Sequence, residues 1–276
     1  MPPTSRRLLL TTLLLLATSS LGQNLVSSVS FSSLPDSPVR QQQQTQEKGT
    51  TSSSPAQVAP HRLIPRLLDD QVHIQKGPFT KKALPADAAF LAITGVLIAT
   101  DKYSADAVPS GGRNQSTAAS NAIIGAGVLS AASVWGYGFV ENDHHAREFG
   151  LLSTEAIANS MVVYAITNYA TGRWRPYQND HRGHFFEHHA LNSSFPSGHT
   201  MVGWSLAYMA AHEYPKPWVR TLAYGGATGI TVTRLMGTQH FPSDVVVGGT
   251  LGYFIARQIF HRHCDPDLGS SCPARR

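Results

Sequence analysis

Long apolar stretches, separated by helix breakers, decide which folds are open to this chain of 276 residues. The stretches are rich in alanine, longer than ordinary strands, and mostly without strict polar alternation, so they predict helices rather than strands. Proline and glycine clusters lie between them, and no repeat of 20–50 residues is visible. The predicted helices are Ala86–Thr100, Asn121–Val140, His145–Thr171, His199–His212, Trp218–Met236 and Ser243–His261. The sequence therefore predicts an all-α bundle of about six helices.

The N-terminus has the pattern of a secretory signal. Arg6 and Arg7 precede an apolar run at Leu8–Ala17, and small residues occupy positions 20 and 22, where a signal peptidase prefers them. The run is about half of the ~20 residues that would span a bilayer, which favours cleavage over an uncleaved membrane anchor. We therefore expect residues 1–22 to be removed and the protein to be exported, periplasmic or extracellular.

The rest of the chain divides into a leader, one domain and a tail. Residues 23–60 are rich in serine and glutamine and carry too little apolar surface to offset the entropy of ordering them, which predicts a disordered leader. Residues 61–263 can build one hydrophobic core. The tail, residues 264–276, holds Cys264 and Cys272, the only cysteines of the chain. Export favours a disulfide between them, closing a small terminal loop.

The net charge of +5 is spread along the chain and does not form a basic stripe. This distribution gives no support to nucleic acid binding. A mild positive bias would help an anionic substrate to approach, although it also describes many solvated surfaces.

Two of the apolar stretches raise the question of a membrane. Asn121–Val140 and Asp244–Phe260 are hydrophobic, but each is rich in Gly, Ala or Ser, and other stretches carry or adjoin Asp87, Glu155 or Arg220. Such segments occur more often in a buried bundle than in a set of membrane spans. We therefore expect a soluble domain or one that lies at a membrane surface.

The first segment whose residues could take part in chemistry lies at the end of the third predicted helix. Asn168 and Arg175 are seven residues apart, which is two helical turns, so they share a face if the helix persists that far. The planar guanidinium of Arg175 presents a fork of donors that suits phosphate oxygens. Taken alone, an arginine before a proline at a helix end is usually solvated.

The second segment, Pro196-Ser197-Gly198-His199, opens the next helix. Ser197 can act as the N-cap, and Gly198 lets a ligand approach the backbone N–H groups at the positive end of the helix dipole. His199 would lie at the same helix N-terminus. An ordinary capping turn with an incidental histidine is an equally good interpretation of this segment by itself.

The third segment carries Arg234, His240 and Asp244, with Pro242 marking a helix start. Asp244 lies four residues after His240, close enough to accept a hydrogen bond from one imidazole nitrogen and leave the other nitrogen as a basic lone pair. A histidine and an aspartate at this spacing form a structural pair more often than a catalytic one. Each segment is therefore weak evidence alone.

Together the three segments resemble the phosphatidic acid phosphatase type 2 and haloperoxidase superfamily. The signature of that superfamily runs Lys-x6-Arg-Pro, then Pro-Ser-Gly-His, then Ser-Arg-x5-His-x3-Asp, and residues 168–244 match it in spacing and order and, at all but two positions, in residue type. The resemblance implies a helical fold and a phosphatase that cleaves phosphate monoesters without a metal ion or another cofactor.

The resemblance also implies a role for each matching residue. His240 would attack phosphorus and form a phosphohistidine, oriented by Asp244, while His199 would protonate the leaving group. Arg175, Arg234, Ser197 and the Gly198 N–H would hold the phosphate oxygens, with Asn168 in the position of the superfamily lysine. These roles are expectations that come from the superfamily and not from the spacing alone.

Two positions depart from the signature. Asn168 replaces the lysine and can donate a hydrogen bond but cannot neutralise charge, which leaves weaker anion binding, altered substrate choice or reduced activity open. Thr233 replaces the serine and keeps a hydroxyl. Arg173 could compensate for the missing lysine from the next turn, or could simply be exposed to solvent.

A histidine-rich loop, residues 181–189, lies between the first two segments and suggests metal ligands. His184, Glu187 and His188 are ligand types, but neither a helix nor a known ligand spacing frames them. We therefore expect this loop to form the rim of the pocket and to shape substrate access, with no metal bound.

Two other functions remain open at this point. A vanadium-dependent haloperoxidase would bind vanadate in the same pocket, but the loss of the lysine charge at Asn168 argues against a trianionic ligand. A degenerate, non-catalytic binder of lipid phosphate or another anion is the second alternative. The substrate of a phosphatase would be a phosphorylated lipid if the helices contact a bilayer, and a small phosphomonoester if they do not.

Overall fold

The computed structural model describes residues 63–77, 80–109, 111–178, 182–188, 190–268 and 270–272. The predicted signal, residues 1–22, and the predicted leader, residues 23–60, lie outside the described residues, so both remain predictions.

The described residues form seven α-helices and no strand, which confirms the all-α prediction. All six predicted helices are present, but the count of about six was wrong by one, because the first helix was missed. That helix carries Pro65 in its first turn, where proline is tolerated and does not break a helix. The helices are α1 (Leu63–Lys76), α2 (Leu84–Asp106), α3 (Arg113–Val140), α4 (His144–Thr171), α5 (Gly198–Glu213), α6 (Pro217–Met236) and α7 (Pro242–His263).

Helix α4 has sequence-specific signals at both ends. The side chain of Asp143 accepts a hydrogen bond from the N–H of Ala146 at 3.1 Å and caps the first turn. At the other end Gly172 adopts a left-handed conformation with φ of 46°. A Cβ atom at this position would lie 1.9 Å from the carbonyl oxygen of His188, so only glycine fits. The chain therefore leaves α4 sharply, just before Arg173.

Helix α5 is the centre of the bundle and packs against α3, α4, α6 and α7. Met201 and Met209 of α5 are fully buried in one apolar cluster with Leu152 of α4 and with Ile259 and Phe260 of α7. A short turn joins α6 to α7, Asn168 near the end of α4 bonds to the backbone of Ser193, and the N–H of Ser197 bonds to the carbonyl of Asp244. The end of α4, the start of α5, the end of α6 and the start of α7 therefore come together at one end of the bundle. The three chemically interesting segments lie at that end.

Helices α2, α3 and α4 are long and apolar enough to cross a membrane, by length and composition. The most apolar windows of α2 and α3 are only 11% buried, and Leu91, Val96, Leu129 and Phe139 are exposed on them. Composition alone does not show which apolar side chains a bundle leaves uncovered, so the sequence favoured a soluble domain more strongly than these faces do. The exposed faces favour association with a membrane.

The C-terminal tail is tied to the bundle. Cys264 and Cys272 form the expected disulfide, with their Cα atoms 6.0 Å apart. Both the N–H and the hydroxyl of Ser271 donate hydrogen bonds to the carbonyl of His212, at 2.9 and 3.0 Å. The tail is therefore fastened to the C-terminal end of α5.

Candidate active site

His240 lies in the turn between α6 and α7 with only 4% of its surface exposed. Its Nδ1 atom is 2.7 Å from the carbonyl oxygen of Ser194. A carbonyl can only accept, so Nδ1 carries the proton and the lone pair is on Nε2. Burial lowers the pKa of His240, while the nearby Asp244 opposes that shift. The ring is therefore held neutral, with Nε2 as its basic atom.

Asp244 does not accept the hydrogen bond from His240 that we expected. Its Oδ2 atom is 3.7 Å from His240 Nδ1, and instead accepts from the N–H of Phe241 at 2.8 Å and from the hydroxyl of Ser194 at 2.5 Å. The side chain caps the first turn of α7, which fixes the carboxylate beside the ring but out of line with it. Asp244 thus acts on His240 through its charge, while Ser194 sets the tautomer.

Arg173 explains how Asp244 is held. Its guanidinium donates to Asp244 Oδ1 at 2.6 Å and to Asp101 Oδ2 of α2 at 2.8 Å, and it is 1% exposed. The rings of Phe185 and Phe241 cover it at 4.5 and 4.2 Å. Arg173 is therefore not exposed to solvent, and it does not replace the missing lysine as a phosphate ligand. These were the two roles considered from the sequence. Asp101 was missed, although an aspartate inside an apolar helix is a signal for a buried partner.

His199 and Arg234 form a second unit. Arg234 Nη2 donates to His199 Nδ1 at 2.8 Å, and His199 Nε2 is 3.0 Å from the side-chain oxygen of Asn121 on α3. Because a guanidinium can only donate, Nδ1 accepts, and Nε2 carries the proton toward Asn121. Burial, and then the charge of Arg234, lower the pKa of His199 to about 4. Asn121 lies outside the recognised segments and was not predicted.

Two buried donors near this unit have no hydrogen-bond partner. Ser197 is fully buried at the N-cap position of α5, but its hydroxyl makes neither the expected capping bond nor any other bond. The Nε atom of Arg234 is also buried and unpartnered. Burial lowers the pKa of Arg234 to about 10, and no carboxylate of the described residues pairs with it. Such donors are costly to bury, which indicates an anionic ligand that satisfies them.

Arg175 adds a second positive charge to the same place. Its Nη1 atom donates to the side-chain oxygen of Gln239 at 3.2 Å and its Nε atom to the carbonyl of Asn192 at 3.3 Å. Both partners are neutral, so they orient the guanidinium without cancelling its charge. The charge of Arg175 lowers the pKa of both His199 and His240, so Arg175 lies within electrostatic range of both rings.

The geometry gives Asn168 a structural role. It is fully buried at the end of α4, where its Nδ2 donates to the carbonyls of Ser193 at 2.8 Å and Phe195 at 3.3 Å. Its Oδ1 accepts from the N–H of Ser193 at 3.1 Å. Both ends of the amide are therefore used on the segment that leads into Ser197, and these bonds give no support to a direct contact with phosphate.

Gly198 begins α5, and its backbone lies against the ring of Tyr164. A Cβ atom at this position would be 3.0 Å from Tyr164 Cε2, closer than nine in ten real contacts of this kind. The glycine thus lets α5 start close to α4, next to Ser197 and His199. The structure brings together all of the predicted pocket residues except the amide of Asn168.

Comparison with known proteins agrees with this geometry. A family model described as PAP2 superfamily matches residues 149–265, which include every predicted site residue. The chain is 40% identical over 102 residues to a lipid A 1-phosphatase of Rhizobium etli, covering 34% of this chain and 43% of the relative. It is 27% identical over 145 residues to a lipid A 1-phosphatase of Porphyromonas gingivalis, covering 48% and 29%. The matched part thus spans less than half the length of these relatives. No solved structure gives a significant match.

Proposed function

We propose that this chain is a phosphatase of the PAP2 superfamily, whose family model matches residues 149–265, and that it hydrolyses the phosphate monoester of a lipid or a similar amphiphile. One observation carries the proposal. Buried donors without partners, the Ser197 hydroxyl and Arg234 Nε, lie with the charge of Arg175 beside a neutral histidine that has a basic Nε2 atom. This arrangement suits a tetrahedral dianion in contact with a nucleophile.

In the proposed first step, Nε2 of His240 attacks phosphorus. A P–N bond forms as the P–O bond to the leaving group breaks, and the ring becomes positively charged. Asp244 stabilises that charge from 3.7 Å, while the Ser194 carbonyl keeps the Nδ1 proton in place. Arg234, Arg175 and Ser197 hold the three phosphoryl oxygens, where negative charge must be stabilised during transfer.

His199 supplies the proton for the leaving alkoxide in this mechanism. Its pKa of about 4 keeps it neutral near pH 7, because Arg234 and Arg175 act on a buried ring. A bound phosphate dianion offsets both guanidinium charges, which raises the pKa of His199 toward the range of a useful acid. In the second step, water attacks phosphorus, its proton passes to His199, and the P–N bond breaks to release phosphate.

The substrate class rests on two lines of support. The relatives are named lipid A 1-phosphatases, and the exposed apolar faces of α2 and α3 favour a position at a membrane. We therefore propose a phosphorylated lipid presented at the outer surface of a cell membrane, in line with the secretory signal predicted from the sequence. Two guanidinium groups supply the positive charge, so we propose that the reaction needs no metal ion.

The test uses the full chain in the presence of a chelator, with p-nitrophenyl phosphate and dioctanoyl phosphatidate as substrates. We expect both to be hydrolysed, and His240→Ala to lower kcat by on the order of 10⁴-fold or more, as loss of a nucleophile does elsewhere. His261→Ala is the matched control, because His261 is exposed in the last turn of α7, far along the helix from the site. Acid-labile phosphate trapped on His240 during turnover would identify the intermediate.

Other outcomes would favour the alternatives. Tight phosphate binding without hydrolysis of either ester would support a non-catalytic binder. Bromide oxidation that depends on added vanadate would support a haloperoxidase. Hydrolysis that survives His240→Ala would contradict the proposed nucleophile.

A further inference from the structure

A groove of about 680 Å³ runs between α3, α4, α5 and α6, outside the pocket that holds the catalytic histidines. Its walls are almost entirely apolar, and neither His199, Arg234 nor His240 lines it. Representative wall residues are Ile123, Gly127, Leu206, Ala223, Gly226 and Ile230. The mechanism proposed above makes no use of this groove.

One end of the groove adjoins the phosphate pocket. Gly203 of α5 and Ile230 of α6 meet there, since a Cβ atom on Gly203 would lie 2.8 Å from Ile230 Cδ1. Gly203 is four residues from His199 on α5, and Ile230 is four residues from Arg234 on α6. Residues at this spacing lie above one another on the same helix face. The groove therefore begins one helical turn from the donors that would hold the phosphate.

The other end of the groove lies near the opposite end of the bundle. Tyr214, Lys216 and Trp218, around the connection from α5 to α6, line it there. From Ile230 to Trp218 the groove follows twelve residues of α6, which is about 18 Å at the rise of an α-helix. An elongated apolar site of this kind suits a hydrocarbon chain rather than a sugar or a nucleoside.

We propose that this groove binds one hydrocarbon chain of the substrate while the phosphate occupies the pocket, and that it makes the enzyme prefer long-chain phosphate esters. The inference rests on the proposed function, because the phosphate pocket defines where the chain begins. Each methylene buried in such a groove strengthens binding about fourfold. Extending a substrate from six to ten carbons should therefore raise kcat/KM by on the order of 10²-fold.

Two neighbouring glycines of α6 provide a matched pair of variants. Gly226 lines the groove and has room for a side chain, the nearest atom to an added Cβ being Ile123 Cγ2 at 3.9 Å. Gly225 is exposed, with nothing within 4 Å of an added Cβ. Gly226→Leu fills the groove, while Gly225→Leu makes the same chemical change on the outer face of the same helix. Gly127→Leu, facing Leu206 Cδ1 at 3.7 Å, fills the groove independently from α3.

The experiment measures kcat/KM of the full chain for hexyl, decyl and tetradecyl phosphate, below their micellar concentrations, and for p-nitrophenyl phosphate. We expect Gly226→Leu and Gly127→Leu to lower kcat/KM for decyl phosphate at least tenfold while leaving p-nitrophenyl phosphate unchanged. Gly225→Leu should behave as the parent with every substrate. Hydrolysis of all esters without any dependence on chain length, or a dependence that both groove variants retain, would overturn the inference and leave the phosphatase intact.

A binding measurement separates this inference from the proposed function. Decylphosphonate and ethylphosphonate carry the same head group and cannot be hydrolysed, so calorimetry reports the chain alone. If the parent hydrolyses no ester, tighter binding of decylphosphonate that Gly226→Leu abolishes and Gly225→Leu preserves would still support the groove. Equal binding of the two phosphonates by the parent would refute it.

Discussion

At the scale of single residues, the pocket depends on polar side chains that touch no substrate. The Nη1 atom of Arg173 donates to Asp244 and its Nη2 atom donates to Asp101, so the orientation of the carboxylate beside His240 is fixed. The Asn168 amide fixes the segment at residues 193–195, because it makes hydrogen bonds to the backbone of Ser193 and Phe195. Breaking such buried networks costs more than losing an exposed contact, because the remaining partners stay desolvated.

This role of Asn168 makes a prediction that opposes the superfamily signature. We expect Asn168→Lys to lower both thermal stability and activity, since the position is fully buried and its amide makes three hydrogen bonds to the backbone. The loss should be about 1–3 kcal/mol for the broken bonds, and more if the ammonium stays buried. Thermal unfolding and p-nitrophenyl phosphate hydrolysis would measure it. A variant more active than the parent would mean that the lysine reaches the phosphate and that the amide is dispensable.

At the scale of helices, the site depends on how closely α7 approaches α5. Gly248 and Gly252 of α7 face the backbone of α5, and Cβ atoms there would lie 2.5 Å from the Ser197 carbonyl and 2.1 Å from the Met201 carbonyl. The start of α7, which carries Asp244, is thereby brought against the start of α5, where the N–H of Ser197 donates to the Asp244 carbonyl at 3.0 Å. Small residues at this contact thus position two of the three segments.

Substitution at the contact tests this packing. We expect Gly252→Ala to destabilise the protein by about 1–3 kcal/mol or more, because the methyl group meets backbone that cannot move aside cheaply. Gly225→Ala is the control, since it lies in the exposed middle of α6 with open space around it and should stabilise by about 0.5–1 kcal/mol. Chemical denaturation of both variants would report the difference. Equal stability of the two would show that α5 and α7 can separate without cost.

At the scale of the whole molecule, helices α2 and α3 leave apolar faces uncovered. The exposed residues on α2 include Leu91 and Val96, which the bundle does not bury. A water-soluble domain rarely presents contiguous apolar surface of this kind unless it binds another apolar phase. A membrane around these helices would also bring lipid substrates to the groove and the pocket.

The prediction at this scale concerns how the protein partitions between lipid vesicles and the aqueous phase. We expect the full chain to remain with zwitterionic lipid vesicles on flotation, and the pair Leu91→Lys and Val96→Lys to weaken this association, because a charged side chain in hydrocarbon costs about 2.5–3.5 kcal/mol. The control is Asn114→Lys with Gln115→Lys, which adds the same charge at exposed polar positions. A parent chain that stays in the aqueous fraction would refute membrane association.

The sequence by itself determined the helical class and indicated the three segments from which the candidate site is built. Long runs with helical composition specify helices through local interactions. The residue types and spacings of the three segments can be recognised without knowledge of the fold. Even so, α1 was missed, because the prediction rested on long apolar stretches, whereas α1 has 14 residues in which Leu, Ile and Val are interspersed with charged residues.

Only the tertiary structure decided how those residues work. Whether Nδ1 of His240 bonds to Asp244 or to the Ser194 carbonyl depends on a distance between segments 46 residues apart in sequence. The burial of Arg173 between Asp101 and Asp244 joins positions more than 70 residues apart, and the groove exists only where α3, α4, α5 and α6 meet. Local sequence patterns do not encode such contacts, because they arise from packing between distant parts of the chain.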